Sequence, residues 1–219
     1  MKNNTDFEDK GLQYVGATRI EGPLVVVERV RDVGFDEIVE IIDAEGRPRF
    51  GRVLDISDKQ AIVQVLEGTT GLSNRNIKIR FLGESFRLPV SRYMLGRIFD
   101  GLGRPADGGP PPISTELRDV NGMPINPYSR RYPREFIQTG LSAIDGMNAL
   151  VRGQKLPIFS GNGLPHDRLS AQIMRQARLL DETVEFSMVF AAMGVKHDVA
   201  EFFIRNFRES GALARAVMF

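Results

Sequence analysis

The chain has 219 residues, 42% of them hydrophobic, enough to bury a core in one or two domains. Its 29 basic and 28 acidic residues leave a net charge of +1, so charge supplies no argument for nucleic acid or for an acidic membrane surface as a partner. Cysteine is absent, which excludes disulfides, thiolate metal sites and cysteine nucleophiles and fits a reducing compartment.

The N-terminal stretch Met1–Lys10 is polar and has no apolar signal core. No run approaches the ~18 apolar residues of a membrane span. A cytoplasmic protein without direct membrane insertion is the expectation. From Tyr14 to Leu66, short half-alternating segments follow one another: Leu24 to Val27, Glu37 to Asp43, Phe50 to Ile56 and Ala61 to Leu66. Glu45-Gly46 and Ser57-Asp58 supply turns between them. The pattern predicts a small antiparallel β-barrel over residues 1–75. It has no stripe of exposed aromatics interleaved with Lys and Arg, so a structural or assembly role is expected of it, not nucleic-acid binding.

Residues 76–219 read as a partial α/β domain. Ser91 opens a short helix leading to a turn, and Asp107-Gly-Gly-Pro-Pro-Pro112 is a surface connection too rich in Gly and Pro for a regular element. Arg130, Arg131 and Arg134, broken by Tyr132 and Pro133, can hold phosphate or a partner carboxylate, although a solvated loop is the plainer reading. Thr139 to Asn148 predicts a capped short helix. Further on, Glu185 to Ala192 predicts a buried strand, Asp198 to Arg208 a helix with Val199, Phe202, Phe203 and Phe207 on one core face, and Ala214 to Phe219 a third apolar strand. A strand of that kind needs neighbours and covering helices, so the domain is expected to be cut off there. The two histidines, His166 and His197, have no second nitrogen or sulfur ligand nearby in sequence, and no metal site is expected. Hydrolytic triads lack support as well.

Between the short helix and the second strand lies Leu156-Pro-Ile-Phe-Ser-Gly-Asn-Gly-Leu-Pro-His-Asp-Arg-Leu-Ser-Ala-Gln-Ile-Met-Arg-Gln-Ala177. It predicts a buried strand, a glycine-bearing loop and a helix, the frame of a phosphate-binding loop. The working loop, G-x-x-x-x-G-K-[ST], cradles phosphates with backbone N–H groups, a lysine and a magnesium-binding hydroxyl. Started at Gly161, the template places His166 at the second glycine, Asp167 at the lysine and Arg168 at the hydroxyl. Two unit charges about 4 Å apart interact by roughly 4 kcal/mol at an effective dielectric of 20. A helix N-terminus returns only about 0.3 to 2 kcal/mol to an anion. Replacing an attracting lysine by Asp167 therefore works against phosphate. Asp167 is also placed to accept the orphan N–H groups of the helix start, as a built-in substitute for a ligand. What remains for weak ATP or ADP binding is Gly161, Asn162, Gly163 and Arg168.

Several motifs together resemble the non-catalytic B subunit of V-type and archaeal A-type rotary ATPases. They are Gly68-Thr-Thr-Gly-Leu72, Leu88-Pro-Val-Ser91, Met94-Leu-Gly-Arg97, Asp107-Gly-Gly-Pro-Pro111, Phe136-Ile-Gln-Thr-Gly-Leu-Ser-Ala-Ile-Asp145, and Arg152 through His166 with its Gly-Leu-Pro-His ending. The resemblance implies a RecA-like parallel sheet in the α/β domain. It also implies that Val195 occupies the place where catalytic relatives carry a water-orienting glutamate. Valine neither accepts a proton nor polarises water, so Asp167 and Val195 mark two lost functions together.

The resemblance further implies a structural and regulatory role in a ring alternating with catalytic A subunits, around a central stalk and held by a peripheral stalk. ATP turnover there is coupled to proton or sodium passage, and the subunit needs no cofactor of its own. The family's trans-acting arginine and its C-terminal helical domain belong to a later half, so the chain resembles roughly half of such a subunit. Two alternatives stand beside it: a stand-alone P-loop ATPase of the same superfamily, such as a flagellar export ATPase or a hexameric RNA translocase, and a weak nucleotide-binding module.

Overall fold

A computed structural model describes residues 13–57, 59–181 and 184–219. The polar stretch Met1–Lys10 and Asp58 of the second expected turn lie outside the described residues. The chain divides into two compact units, one running to Leu88 and taking in Arg118–Gly122, the other formed by Pro89–Leu117 and Met123–Phe219.

The first unit is one curled antiparallel sheet. Its strands are β1 (Gln13–Val15), β2 (Arg19–Glu21), β3 (Leu24–Glu28), β4 (Glu37–Ile42), β5 (Pro48–Ser57), β6 (Gln60–Val65) and β7 (Lys78–Ser85). They pair in the order β1-β7-β4-β5-β6-β3-β2. The two end strands are consecutive in sequence, with only Gly16, Ala17 and Thr18 between them. One stretch of chain thus pairs with β7 through its first half and with β3 through its second, which curls the sheet towards closure and shortens its free edges. Alternate residues point inward, as the two-residue period of a strand dictates. Val25, Val39, Ile41, Val53, Val63, Ile77, Ile79 and Phe81 fill the interior, with Tyr14 edge-on to Phe81 at 5.6 Å. Buried Glu37 is satisfied by the N–H groups of Gly34 and Gly83, at 2.7 and 2.6 Å. The expected turn at Glu45-Gly46 is present, closed by Gly46 N–H on Asp43 O at 3.1 Å. The boundary expected at residue 75 falls before β7, which is a member of the same sheet.

A two-stranded ribbon follows, β8 (Arg87–Val90) with β9 (Glu116–Asp119). The second unit contains β10 (Ile137–Gln138), α1 (Ser142–Met147), α2 (His166–Gln176), β11 (Arg178–Leu179), β12 (Met188–Phe190), α3 (His197–Glu209) and β13 (Ala216–Met218). β12 and β13 are parallel and joined through α3, so they form a β-α-β crossover, the building block of a parallel α/β sheet. Phe203 and Phe207, four apart on α3, are buried with Ile98, Ala171, Ala212 and Met218. Asp198 in the first turn of α3 and Arg208 in its last complement the helix dipole. The expected mixed architecture, an antiparallel barrel-type unit followed by an α/β unit, is what the chain adopts.

Three local expectations are corrected. Leu156–Ser160 forms no strand: it pairs with no ladder among the described residues, and Phe159 is 92% exposed. An apolar run becomes a buried strand only when neighbours take its backbone N–H and C=O groups. The strand expected over Glu185–Ala192 is regular only at Met188–Phe190. The helix expected after Ser91 is a single 3-10 turn, Arg92–Met94, and Ser91 makes no side-chain cap bond. The backbone beyond that turn is taken by β13 instead. Gly96 N–H bonds Ala216 O at 2.8 Å, Phe99 N–H bonds Met218 O at 2.8 Å, and Met218 N–H bonds Arg97 O at 3.1 Å.

The glycine-proline connection is less loose than its composition suggests. The Arg97 guanidinium grips the Asp107 carboxylate through both arms and also donates to Pro110 O at 3.0 Å. At Gly109 a Cβ would lie 2.4 Å from Arg97 Nη2, so a side chain there would push the guanidinium out of its present position. The Arg97 hydrogen bonds hold the Asp107 carboxyl well below the usual range, against burial that raises it and with help from the N–H groups of Gly109 and Ile98. A depressed folded-state pKa contributes stability that is complete above the unfolded value near 4 and is lost as pH falls. We predict that Asp107→Asn costs about 2 kcal/mol at neutral pH, in line with hydrogen bonds to charged groups. The gap to the parent chain should narrow steadily in urea titrations carried below about pH 4. A gap that does not change with pH would exclude this linkage.

Candidate functional site

The loop that carries the phosphate-binding frame is built from Gly161 to His166. Gly163 has φ +84°, a left-handed conformation that glycine adopts without strain. Leu164 N–H turns back onto Gly161 O at 3.3 Å, and His166 N–H onto Leu164 O at 2.9 Å. The His166 ring folds over the same segment, with Nδ1 3.0 Å from both Ser160 Oγ and Leu164 O. Two backbone donors that a phosphate loop would aim at its ligand are therefore spent inside this one. The His166 ring adds its own contacts to that closure.

Helix α2 starts directly behind the loop, with Pro165 as its N-cap and no side-chain capping bond. Asp167 lies in the first turn. Its carboxylate is 3.5 Å from His166 Nε2 and accepts no backbone N–H among the described residues, so the self-capping expected from the sequence is not formed. The residue's negative charge nonetheless sits where the helix dipole favours an anion.

Asp167 and Arg168 line a cavity of about 250 Å³ together with Pro165, Asp198, Val199 and Phe202 of α2 and α3. Two carboxylates and one guanidinium line it, a net negative balance. Gly161, Asn162 and Gly163 are exposed and do not line this cavity. Val195 lies in the irregular segment between β12 and α3, and its partly exposed side chain presents only methyl groups.

Two supports of this region escaped the sequence reading. The Asp145 carboxylate of α1 accepts Thr139 N–H at 2.9 Å, Thr139 Oγ1–H at 2.6 Å and Gly140 N–H at 3.0 Å. The Thr139 hydroxyl, ahead of those amides and against the effect of burial, holds the Asp145 carboxyl below its ordinary value. Arg215, just before β13, donates to Ala177 O, Met174 O and Arg175 O at 3.1, 3.4 and 2.7 Å. It caps the C-terminal end of α2 from a position 38 residues beyond Ala177. An acidic residue six positions after a threonine signals the first arrangement weakly, whereas nothing in the sequence signals the second. Among the described residues, no group of three or more His, Cys, Asp or Glu side chains is gathered as a metal site would require. No helix among them is long and apolar enough to cross a membrane.

A barrel-type sheet followed by an α/β unit with a phosphate-loop frame defines the class, and comparison with known proteins agrees. The beta-barrel domain model of the ATP synthase alpha/beta family matches residues 17–83, and the nucleotide-binding domain model of the same family matches residues 140–219. The chain belongs to the ATP synthase alpha/beta family. Within it, the chain is 55% identical over 207 residues to the V-type ATP synthase beta chain of Halothermothrix orenii, covering 94% of this chain and 45% of that one. It is 54% identical over 209 residues to the B subunit of the A-type ATP synthase of Nitrosopumilus maritimus, covering 95% and 45%. The chain spans about half the length of these curated relatives.

Proposed function

We propose that this chain is the N-terminal part of a non-catalytic, structural and regulatory B subunit of a V/A-type rotary ATPase. In this reading it alternates with catalytic A subunits in a ring, contacts central and peripheral stalk subunits, and lies on the cytoplasmic side of the membrane without entering it. ATP synthesis or hydrolysis occurs at the interfaces with those catalytic subunits and is coupled to proton or sodium passage elsewhere in the complex. No cofactor is required by this chain.

The observation that carries the reading is the loop itself. Asp167 stands at the phosphate lysine's place, in a cavity shared with Asp198, and His166 folds back onto the Leu164 carbonyl of the same loop. A catalytic site of this superfamily needs a cation at the first position and a carboxylate near the attacking water. Val195 supplies no such carboxylate. The stand-alone ATPase reading requires both groups and lacks both.

The test is Mg-ATP turnover and binding by the 219-residue chain. We predict no hydrolysis above the buffer blank and no saturable Mg-ATP heat at this loop. Asp167→Lys should gain affinity for the nucleotide, of the order of tenfold or more, yet no turnover, because Val195 remains. Turnover by the unaltered chain would overturn the proposal. Failure of the chain to associate with catalytic A subunits in native mass spectrometry would remove the assembly role.

A further inference from the structure

The segment following the 3-10 turn Pro127–Ser129 carries Arg130, Arg131 and Arg134. Its start is held by Asn126, whose Oδ1 accepts Tyr128 N–H at 3.0 Å and whose carbonyl accepts Ser129 N–H at 2.9 Å. Its end is held by a short antiparallel contact. Phe136 bridges Val151, Arg152 N–H bonds Glu135 O at 2.8 Å, and Ile137 N–H bonds Leu150 O at 2.8 Å. Arginines held at both ends of a segment by backbone bonds form a shaped surface.

That surface is concave. Arg130, Arg131, Tyr132, Arg134, Glu135 and Arg152 are the chemistry-bearing residues lining a cavity of about 720 Å³. This volume lies within the range of roughly 300 to 1,000 Å³ of small-molecule sites. Four guanidinium groups face one carboxylate. Arg152 Nη1 is paired to Glu135 Oε2 at 2.8 Å. Arg130, Arg131 and Arg134 have no ion pair or side-chain hydrogen bond among the described residues, so three planar forks are free to bind oxyanions bidentately. Tyr132, 93% exposed, offers a flat apolar face at the same place. The degenerate loop shares no lining residue with this cavity.

We propose that this arginine cleft binds an oligophosphate anion, with Arg130, Arg131 and Arg134 holding phosphate oxygens and Arg152, tethered by Glu135, forming the wall. A single phosphate would leave forks unused, and a concave cleft with a net charge of three suits a compact ligand of several negative charges. The chemistry is common to inorganic oligophosphate and to the phosphate chain of a nucleotide. Tyr132 stacking separates the two.

Calorimetric titration of the 219-residue chain with inorganic tripolyphosphate, at about 50 and about 200 mM salt, tests the proposal. Saturable binding is expected, weakening several-fold at the higher salt. The double substitution Arg131→Gln with Arg134→Gln should weaken it at least tenfold, and Arg130→Lys, which keeps charge but loses the fork, should weaken it less. Arg168→Gln, at the degenerate loop, should leave it unchanged. Far-UV circular dichroism of each variant establishes that it is folded. ATP without magnesium is titrated in parallel: tighter binding than tripolyphosphate, abolished as an excess by Tyr132→Ala, assigns the ligand as a nucleotide, and equal binding assigns the phosphate chain alone. Absence of saturable binding at both salts, loss with Arg168→Gln instead of the cleft variants, or binding of a glutamate-rich peptide but not tripolyphosphate would overturn it.

Discussion

Truncating Phe207 to alanine is expected to cost about 3 to 5 kcal/mol, the range for a large aromatic removed from a packed core. Phe207 is 0% exposed, and its ring lies 5.3 Å from Phe190 at 80° and 5.8 Å from Phe203 at 44°. It therefore links α3 to β12, and the surrounding Ile98, Ala171, Ala212 and Met218 cannot all move in to fill the space it leaves. Phe207→Leu should cost less, roughly 1 to 2 kcal/mol, because most of the volume is retained. Urea denaturation, read with native-state amide exchange at β12 and β13, measures both. An alanine variant within about 1 kcal/mol of the parent would mean that this cluster is not the core of the α/β unit.

Arg215→Ala is expected to have the second largest effect, about 2 to 3 kcal/mol. Three carbonyl oxygens at the end of α2 lose a cationic donor at once, and one of them belongs to Ala177, whose side chain is buried. Hydrogen bonds to charged groups contribute roughly 1.5 to 3 kcal/mol each in isolation, and the shared donor keeps the total well below their sum. A cation at a helix C-terminus adds about 0.3 to 1 kcal/mol. Arg215→Lys should recover only part of the loss, because an ammonium lacks the planar fork that spans several carbonyls. Amide exchange along α2 is the informative readout, with the C-terminal turn expected to lose protection first. Equal protection in parent and alanine variant would show that water replaces the guanidinium at no cost.

These two positions differ in how far sequence alone reaches them. Phe207 was legible, because Phe203 and Phe207 are four apart in an amphipathic run and such spacing places side chains on one helical face whatever the partner is. The alternating valines and isoleucines of the first unit were legible for the same reason, with period two in place of 3.6. So was the departure of the loop from its template: Asp167 stands where the phosphate-loop pattern has a lysine, and no arrangement of the backbone gives an aspartate an ammonium. Local pattern and side-chain chemistry are intrinsic to the string of residues.

Tertiary pairing was not. Ser91 has the composition of a helix start, yet the chain after it gives its backbone bonds to β13, more than a hundred residues on in sequence, and the helix stops at one turn. Leu156–Ser160 has the composition of a buried strand but no ladder beside it among the described residues. Asp167 has the chemistry of a cap without the geometry, while Arg215 caps α2 from far away. The arginines at 130, 131 and 134 read as a solvated loop until Arg152, from a separate stretch and paired to the neighbouring Glu135, closes a cleft beside them. The sequence by itself determined the residue types, the periodicities and the departure of Asp167 from the phosphate-loop pattern. Only the tertiary structure decided which backbone groups pair and which charges meet, because both depend on contacts between residues far apart in the chain, for which no local signal exists.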